Sequence, residues 1–167
     1  MCRRGSGLVD WAVAVKFRLI VVGKSPAGPL GAAIAEFEAR AGRYWPLEVL
    51  EVRAESSRSR PRSEVRTLES QRVMDRVSGM LVVLDERGRS FTTSAFATWM
   101  QERRELAEDV SFVVGGPDGI DSLTRQRAAM LLAVAPWTLP HDVARLVLAE
   151  QIYRAGTLVR GEPYHRV

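Results

Sequence analysis

Met80-Leu81-Val82-Val83-Leu84 is apolar at every position. A strand with one face in water alternates apolar and polar residues, so an unbroken apolar strand is covered on both faces. Cover on both faces calls for helices above and below a sheet of parallel strands joined by crossovers. The rest of the chain keeps that rhythm. Residues 17–23 read as a buried strand ended by glycine, residues 47–52 as a second and residues 110–114 as another. Residues 29–42, 63–78 and 92–107 carry helical spacing between them. Residues 121–132 read as a further helix and residues 134–139 as a short extended segment around Pro136. Asp142 reads as the cap of a last helix that ends near Ala155, with Gly156 as its stop. The expected fold class is α/β, a mainly parallel sheet flanked by helices.

At 167 residues the chain is one domain's worth. A single cysteine, Cys2, excludes an intramolecular disulfide framework and a cysteine-rich zinc site. The longest clean apolar run covers residues 128–137, half of the roughly 20 residues that a membrane span needs. Arg3 and Arg4 precede apolar residues as in a signal peptide, but Asp10, Lys16 and Arg18 interrupt the pattern. A soluble, cytoplasmic protein with no membrane partner is therefore expected. Of the 24 basic residues 22 are arginine, for a net charge of +4. Either codon bias or a phosphate-contacting surface accounts for that excess, and net charge alone does not choose between them.

In open α/β sheets ligands bind at the C-terminal strand edge. That edge should carry Leu84-Asp85, the cluster Gly115-Gly116-Pro117-Asp118-Gly119 and the segment at 135–141. The glycines either let main-chain groups approach a ligand or simply make a tight turn. The cluster is neither GxGxxG nor a Walker loop, so dinucleotide and triphosphate binding are not supported. Trp137-Thr138-Leu139-Pro140-His141, with Pro136 before it, makes a rigid wall able to offer backbone groups to an adenine-like edge. Arg58, Arg60 and Arg62 lie in a serine-arginine loop, residues 56–63, that holds no acid and suits phosphate contact. The last helix is apolar around most of its girth, as for a central helix or one shared with a second subunit, and Glu150 and Arg154 can pair on it. The tail groups Tyr164, His165 and Arg166, a ring, an imidazole and a guanidinium of the kind that hold a nucleotide. With only two histidines, His141 and His165, no metal constellation is expected, nor is a Ser/His/Asp triad evident.

Taken together, residues 113–119, Leu139-Pro140-His141, residues 150–155 and the closing Pro163-Tyr164-His165-Arg166 resemble the RlmH family, bacterial methyltransferases of large-subunit ribosomal RNA in the SPOUT class. The resemblance covers residues 16–167 in order. It implies a SPOUT-type α/β fold with a C-terminal trefoil knot, a homodimer, and S-adenosylmethionine as cofactor. Carried over by motif, it implies cofactor contacts at Leu84, Gly116, Ala135, Pro136, Trp137, Thr138, Leu139 and Pro140, with Ala135 and Pro136 contributing mainly backbone. The implied substrate is 23S rRNA within the ribosome, at a pseudouridine of the helix 69 loop that is methylated at N3. Loss of the N3 proton would be eased by positive charge from Arg154 or Arg166, with His165 as candidate base. Tyr164 and Arg166 join Arg58, Arg60 and Arg62 as candidate substrate contacts. The alternative readings are a non-catalytic RNA- or ribosome-binding protein of the same fold and a small flavodoxin-like nucleotide-binding domain, which leaves the tail unexplained.

Residues 1–15 are expected to be an N-terminal extension and residues 16–167 a single domain. Family-like sequence begins at Lys16, and Val15 stands where an initiator would, as a GTG codon read as internal valine would leave it. A chain that starts at Val15 is therefore expected to match the full chain in thermal melting and in methyl transfer; a loss in either would make the extension part of the working protein.

Overall fold

The computed structural model describes residues 15–165. Strands and helices alternate as β1 (Phe17–Val22), α1 (Pro29–Ala41), β2 (Leu47–Val52), α2 (Arg62–Met74), β3 (Met80–Ser90), α3 (Thr93–Glu105), β4 (Val110–Val114), α4 (Ser122–Arg127), β5 (Met130–Ala133) and α5 (His141–Val159), followed by a 3-10 turn at Pro163–His165. The strands make one parallel five-stranded sheet in the order β2-β1-β4-β3-β5. Successive side chains of a strand point to opposite faces, and here both faces are buried. Phe17, Leu19, Val21, Val82 and Phe112 face a core shared with Phe96 and Met100 of α3 and Leu148 and Ile152 of α5. Ile20, Val22, Val83 and Val113 face a second core that includes Val73 of α2 and Ile120. The apolar character of residues 80–84 follows from this double cover.

Three sequence expectations are corrected. The helix expected over 121–132 stops at Arg127, because Ala128 turns to extended backbone and Ala129 donates its N–H to the Leu81 carbonyl at 2.9 Å. The stretch Met130-Leu131-Leu132-Ala133 has no β-branched residue and locally favours helix. The free edge of β3 supplies a hydrogen-bond ladder that a helix could not satisfy, and pairing wins. β3 itself runs on past Leu84 to Ser90, with an irregularity between Leu84 and Arg89. Gly88 sits in that irregularity, where a Cβ would come within 2.5 Å of the Leu131 carbonyl group.

The last helix differs at both ends. Pro140, not Asp142, holds the N-cap position, and Asp142 lies in the first turn, where its charge complements the helix dipole. The extended segment expected at 134–139 is a series of bends leading to Pro140. At the other end α5 continues through Gly156 to Val159. Gly156 is there for close approach: a Cβ would stand 2.4 Å from the Cβ of Tyr44. Trp45, beside that contact, packs edge-on to Phe17 with ring centroids 5.4 Å apart and donates its indole N–H to the Ile152 carbonyl at 2.8 Å.

Gly156→Ala discriminates between the two roles. At an ordinary helix position it would gain up to about 1 kcal/mol of helix propensity. Against Tyr44 it is expected to cost about 1–3 kcal/mol through overpacking, read as a drop of several degrees in melting temperature.

Candidate active site

The middle of β3, the C-terminal end of β4 with the turn after it, the segment after β5 and the first turns of α5 enclose a cleft of about 330 Å³. Leu84, Gly116, Ala135, Trp137, Thr138 and Leu139 all line it. Pro136 and Pro140, expected alongside them, are not among the lining residues. Pro140 instead starts α5, so its contribution is to the course of the backbone. The cleft also takes in Asp85 and His141, which the sequence places at this strand edge, and Glu86, Arg87 and Arg125, which the sequence reading did not name.

The acids at the mouth organise the wall. The Asp85 side chain is only 6% exposed, accepts the Arg87 N–H at 2.9 Å and pairs with the Arg125 guanidinium. Glu86 accepts the hydroxyl proton of Thr138, which ties the strand end to the proline-flanked wall. Trp137 stands at the rim with 75% of its surface exposed.

The glycine cluster forms a tight turn, with the Gly119 N–H donated to the Gly116 carbonyl at 2.9 Å and Gly119 at φ 79°. A Cβ on Gly116 would meet Val22 Cγ1 at 3.0 Å and Glu69 Oε2 at 3.2 Å, so the turn lies flush against β1 and α2. Asp121 leaves the turn as the cap of α4, accepting the Thr124 N–H at 2.7 Å, and donates its own N–H to Ser70 Oγ at 3.1 Å. Glu69, beside Ser70 on α2, is 1% exposed. Burial pushes its carboxyl above the usual carboxylate range.

The arginine loop is less free than its composition suggests. Arg60 pairs with Glu64 and lies 3.9 Å from Glu55, and Arg62, already in α2, lies 3.5 Å from Asp118. The expectation of arginines without neighbouring acids is thus corrected for Arg60 and Arg62, because the acids come from a helical turn onward, from the end of β2 and from the glycine turn. Arg58 has no carboxylate partner among the described residues.

Tyr164 does not line the cleft of its own chain. Tyr164 packs on Tyr153 with centroids 4.6 Å apart, lies under the Arg154 guanidinium at 4.7 Å and donates its hydroxyl to Glu150 at 3.3 Å. Arg154 makes the expected pair with Glu150, at 2.7 and 2.8 Å, and hydrogen bonding to Glu150 raises its already high pKa. Burial and the neighbouring Glu150 likewise raise the Tyr164 hydroxyl. Ala144 lines the cleft, and Arg154 follows it on the same helix by ten residues, or about 15 Å of helix axis. His165 closes the 3-10 turn, and Arg166 lies outside the described residues.

Among the described residues no three His, Cys, Asp or Glu side chains gather as a metal site, and no helix is long and apolar enough to cross a membrane.

Comparison with known proteins places the chain among relatives over nearly its whole length. The family described as "Predicted SPOUT methyltransferase" matches residues 15–165. The "Ribosomal RNA large subunit methyltransferase H" of Gemmatimonas aurantiaca is 45% identical over 154 residues, covering 91% of this chain and 100% of the relative. The protein of the same name from Syntrophotalea carbinolica is 36% identical over 154 residues, covering 90% and 99%. Among solved structures, a probable methyltransferase from Bordetella pertussis Tohama I shares the fold, with a TM-score of 0.50 at 17% identity over 86% of this chain and 96% of that one.

Proposed function

The chain belongs to the SPOUT methyltransferase family, and from that premise we propose that it methylates large-subunit ribosomal RNA, using S-adenosylmethionine, at N3 of a pseudouridine in the helix 69 loop of 23S rRNA. The observation that carries this reading is the convergence of Leu84, Gly116 and four residues of the 135–139 wall on one cleft. The cleft fits the cofactor on its own chemistry. Its volume of about 330 Å³ is within the usual range for small-molecule sites. Leu84, Ile120 and Leu139 would supply apolar contact for a flat base, the glycine turn brings backbone close, and Glu86 adds a carboxylate to the lining, alongside Asp85 and its partner Arg125.

When bound, S-adenosylmethionine supplies an activated methyl group, whose bond to sulfur breaks as the bond to N3 forms. The protein's own part is to hold the two partners in line, exclude water and accept the loss of the N3 proton. Arg154, charged and set against Tyr164, offers a guanidinium to the developing imide anion, moderated by Glu150. Arg166 adds a second positive charge and His165 is the candidate proton acceptor.

Arg154 lies about 15 Å along α5 from Ala144 at its own cleft, with Tyr164 packed against it, so a complete site takes the tail of one subunit and the cleft of its partner in a homodimer acting in the cytoplasm. Isothermal titration with S-adenosylmethionine and mass spectrometry of rRNA from a deletion strain test the activity. Micromolar binding and loss of one methyl group on the helix 69 pseudouridine are expected; no binding and an unchanged rRNA would favour a non-catalytic RNA-binding protein. The shared site is tested by mixing a chain lacking residues 163–167 with a Gly116→Trp chain. Each alone should be inactive, and their heterodimer, with one good cleft opposite one good tail, should recover partial activity. Heterodimers that form and stay inactive would show that the tail serves its own subunit.

The arginine loop supplies part of the RNA affinity. Arg58→Ala is expected to reduce the dependence of RNA binding on salt by about one phosphate contact. Arg60→Ala and Arg62→Ala should each reduce it by less, because Glu64, Glu55 and Asp118 already share their charge.

A further inference from the structure

Glu69 is the one carboxyl of the α2 face that the proposed chemistry leaves unused. Its Oε1 accepts the Glu55 N–H at 2.8 Å, while its buried Oε2 has no hydrogen-bond partner. That free oxygen lies against Gly116, 3.2 Å from where a Cβ would stand. The position therefore has room for glycine and for the carboxyl together, and for nothing more. One residue on, Ser70 Oγ takes the Asp121 N–H, so α2 packs against the turn at Gly116 and bonds it at its exit.

The charges around Glu69 do not welcome an anion. Arg72 of the same helix is committed to the Glu55 carboxylate and the Arg53 carbonyl. Glu55, after β2, and Asp118, in the turn, both carry the same sign as an ionised Glu69. An ionised carboxylate here would be buried with no cation bonded to it, and the charge of Arg72 and the Glu55 N–H do not offset the burial, whereas a protonated carboxyl avoids that cost.

We propose that Glu69 is a positioning residue for the glycine turn: a neutral carboxyl set behind Gly116 that holds the cleft-facing backbone in its ligand-binding shape and releases it on ionisation. It acts through Gly116 and does not line the cleft itself. The consequence for affinity rests on the reading of this cleft as the S-adenosylmethionine site; the consequence for the turn does not. Because the folded carboxyl titrates above its ordinary range, its stabilising contribution is complete below the ordinary carboxylate pKa and is lost as pH rises through the raised value.

Two measurements test this on the full chain. In the absence of cofactor, the amide resonances of Gly115, Gly116 and Gly119 should shift with one common midpoint in the wild type. The shift should be absent in Glu69→Gln, and its midpoint should move to lower pH in Asp118→Asn, which removes a like charge. With S-adenosylmethionine, wild-type affinity should fall with a limiting slope of about tenfold per pH unit above that midpoint. Glu69→Gln should retain the low-pH affinity and lose this component of the pH dependence. Glycine amides that respond to pH identically in the wild type and Glu69→Gln would overturn the proposal; should Glu69→Gln not fold, an unmoved midpoint in Asp118→Asn would do so. Amides that titrate as expected in a protein that binds no S-adenosylmethionine would uphold the positioning role and overturn the cofactor reading instead.

Discussion

The buried guanidinium of Arg145 fixes the helix on which the rest of the molecule depends. Its side chain is 3% exposed and bonds Glu38 of α1 at 2.7 and 3.2 Å and Glu51 of β2 at 2.9 Å. Glu51 also accepts the Ser25 N–H at 2.9 Å, so the loop after β1 joins the same cluster. Burial alone would depress the arginine, but the hydrogen bonds to Glu38 and Glu51 outweigh it and keep the charge. Taking away one partner of a buried ion pair typically costs about 3–5 kcal/mol, because the other charge is stranded. Such a cluster sets where a helix lies more sharply than apolar contact does, since hydrogen bonds have direction and apolar contact has little.

With α5 so placed, one helix runs from the cleft to the tail. Its first turns border the cleft through His141 and Ala144. Its later turns carry Glu150, Tyr153 and Arg154, against which Tyr164 packs. The Trp45 bond to Ile152 and the Gly156 contact with Tyr44 hold the stretch between. The helix is a rigid spacer, and its length separates tail from cleft within one chain. On the other side of the sheet α2 plays a comparable part, with Glu69 and Ser70 behind the glycine turn and Arg62 beside Asp118. The arginine loop and the cleft thus meet on a single helix.

Much of this was legible in the residues. β2 and β4 have the limits their apolar runs imply, and β1 differs only by leaving out Gly23. Apolar runs flanked by glycine or polar turns carry their own boundaries. Leu84, Gly116 and the wall at 135–139 could be picked out because ligands of open α/β sheets bind at the C-terminal strand edge and because the family resemblance marks the same residues. β5 could not be found this way: Met130-Leu131-Leu132-Ala133 favours helix locally, and only the vacant edge of β3 makes it a strand. Gly156 misled for the same reason. A glycine near a helix end looks like a stop, and the Tyr44 side chain that gives it another purpose is distant in sequence. The acid that engages Arg62 was likewise hidden, since Asp118 comes to it across the fold, whereas Arg60 finds Glu64 only four residues on.

The amino-acid sequence by itself determined the class of fold, the order of its elements as far as β4 and the identity of the glycine and proline segments that follow. These follow from short-range physics, from side-chain periodicity and from backbone restriction. Tertiary structure alone decided which buried charges are paired, which edge a neutral-looking segment joins and which carboxyl stands behind Gly116. Those outcomes depend on contacts between residues far apart in the chain, such as Arg145 with Glu38 and Glu69 with Gly116. No local pattern encodes them, because their free energy exists only once the sheet has brought the partners together.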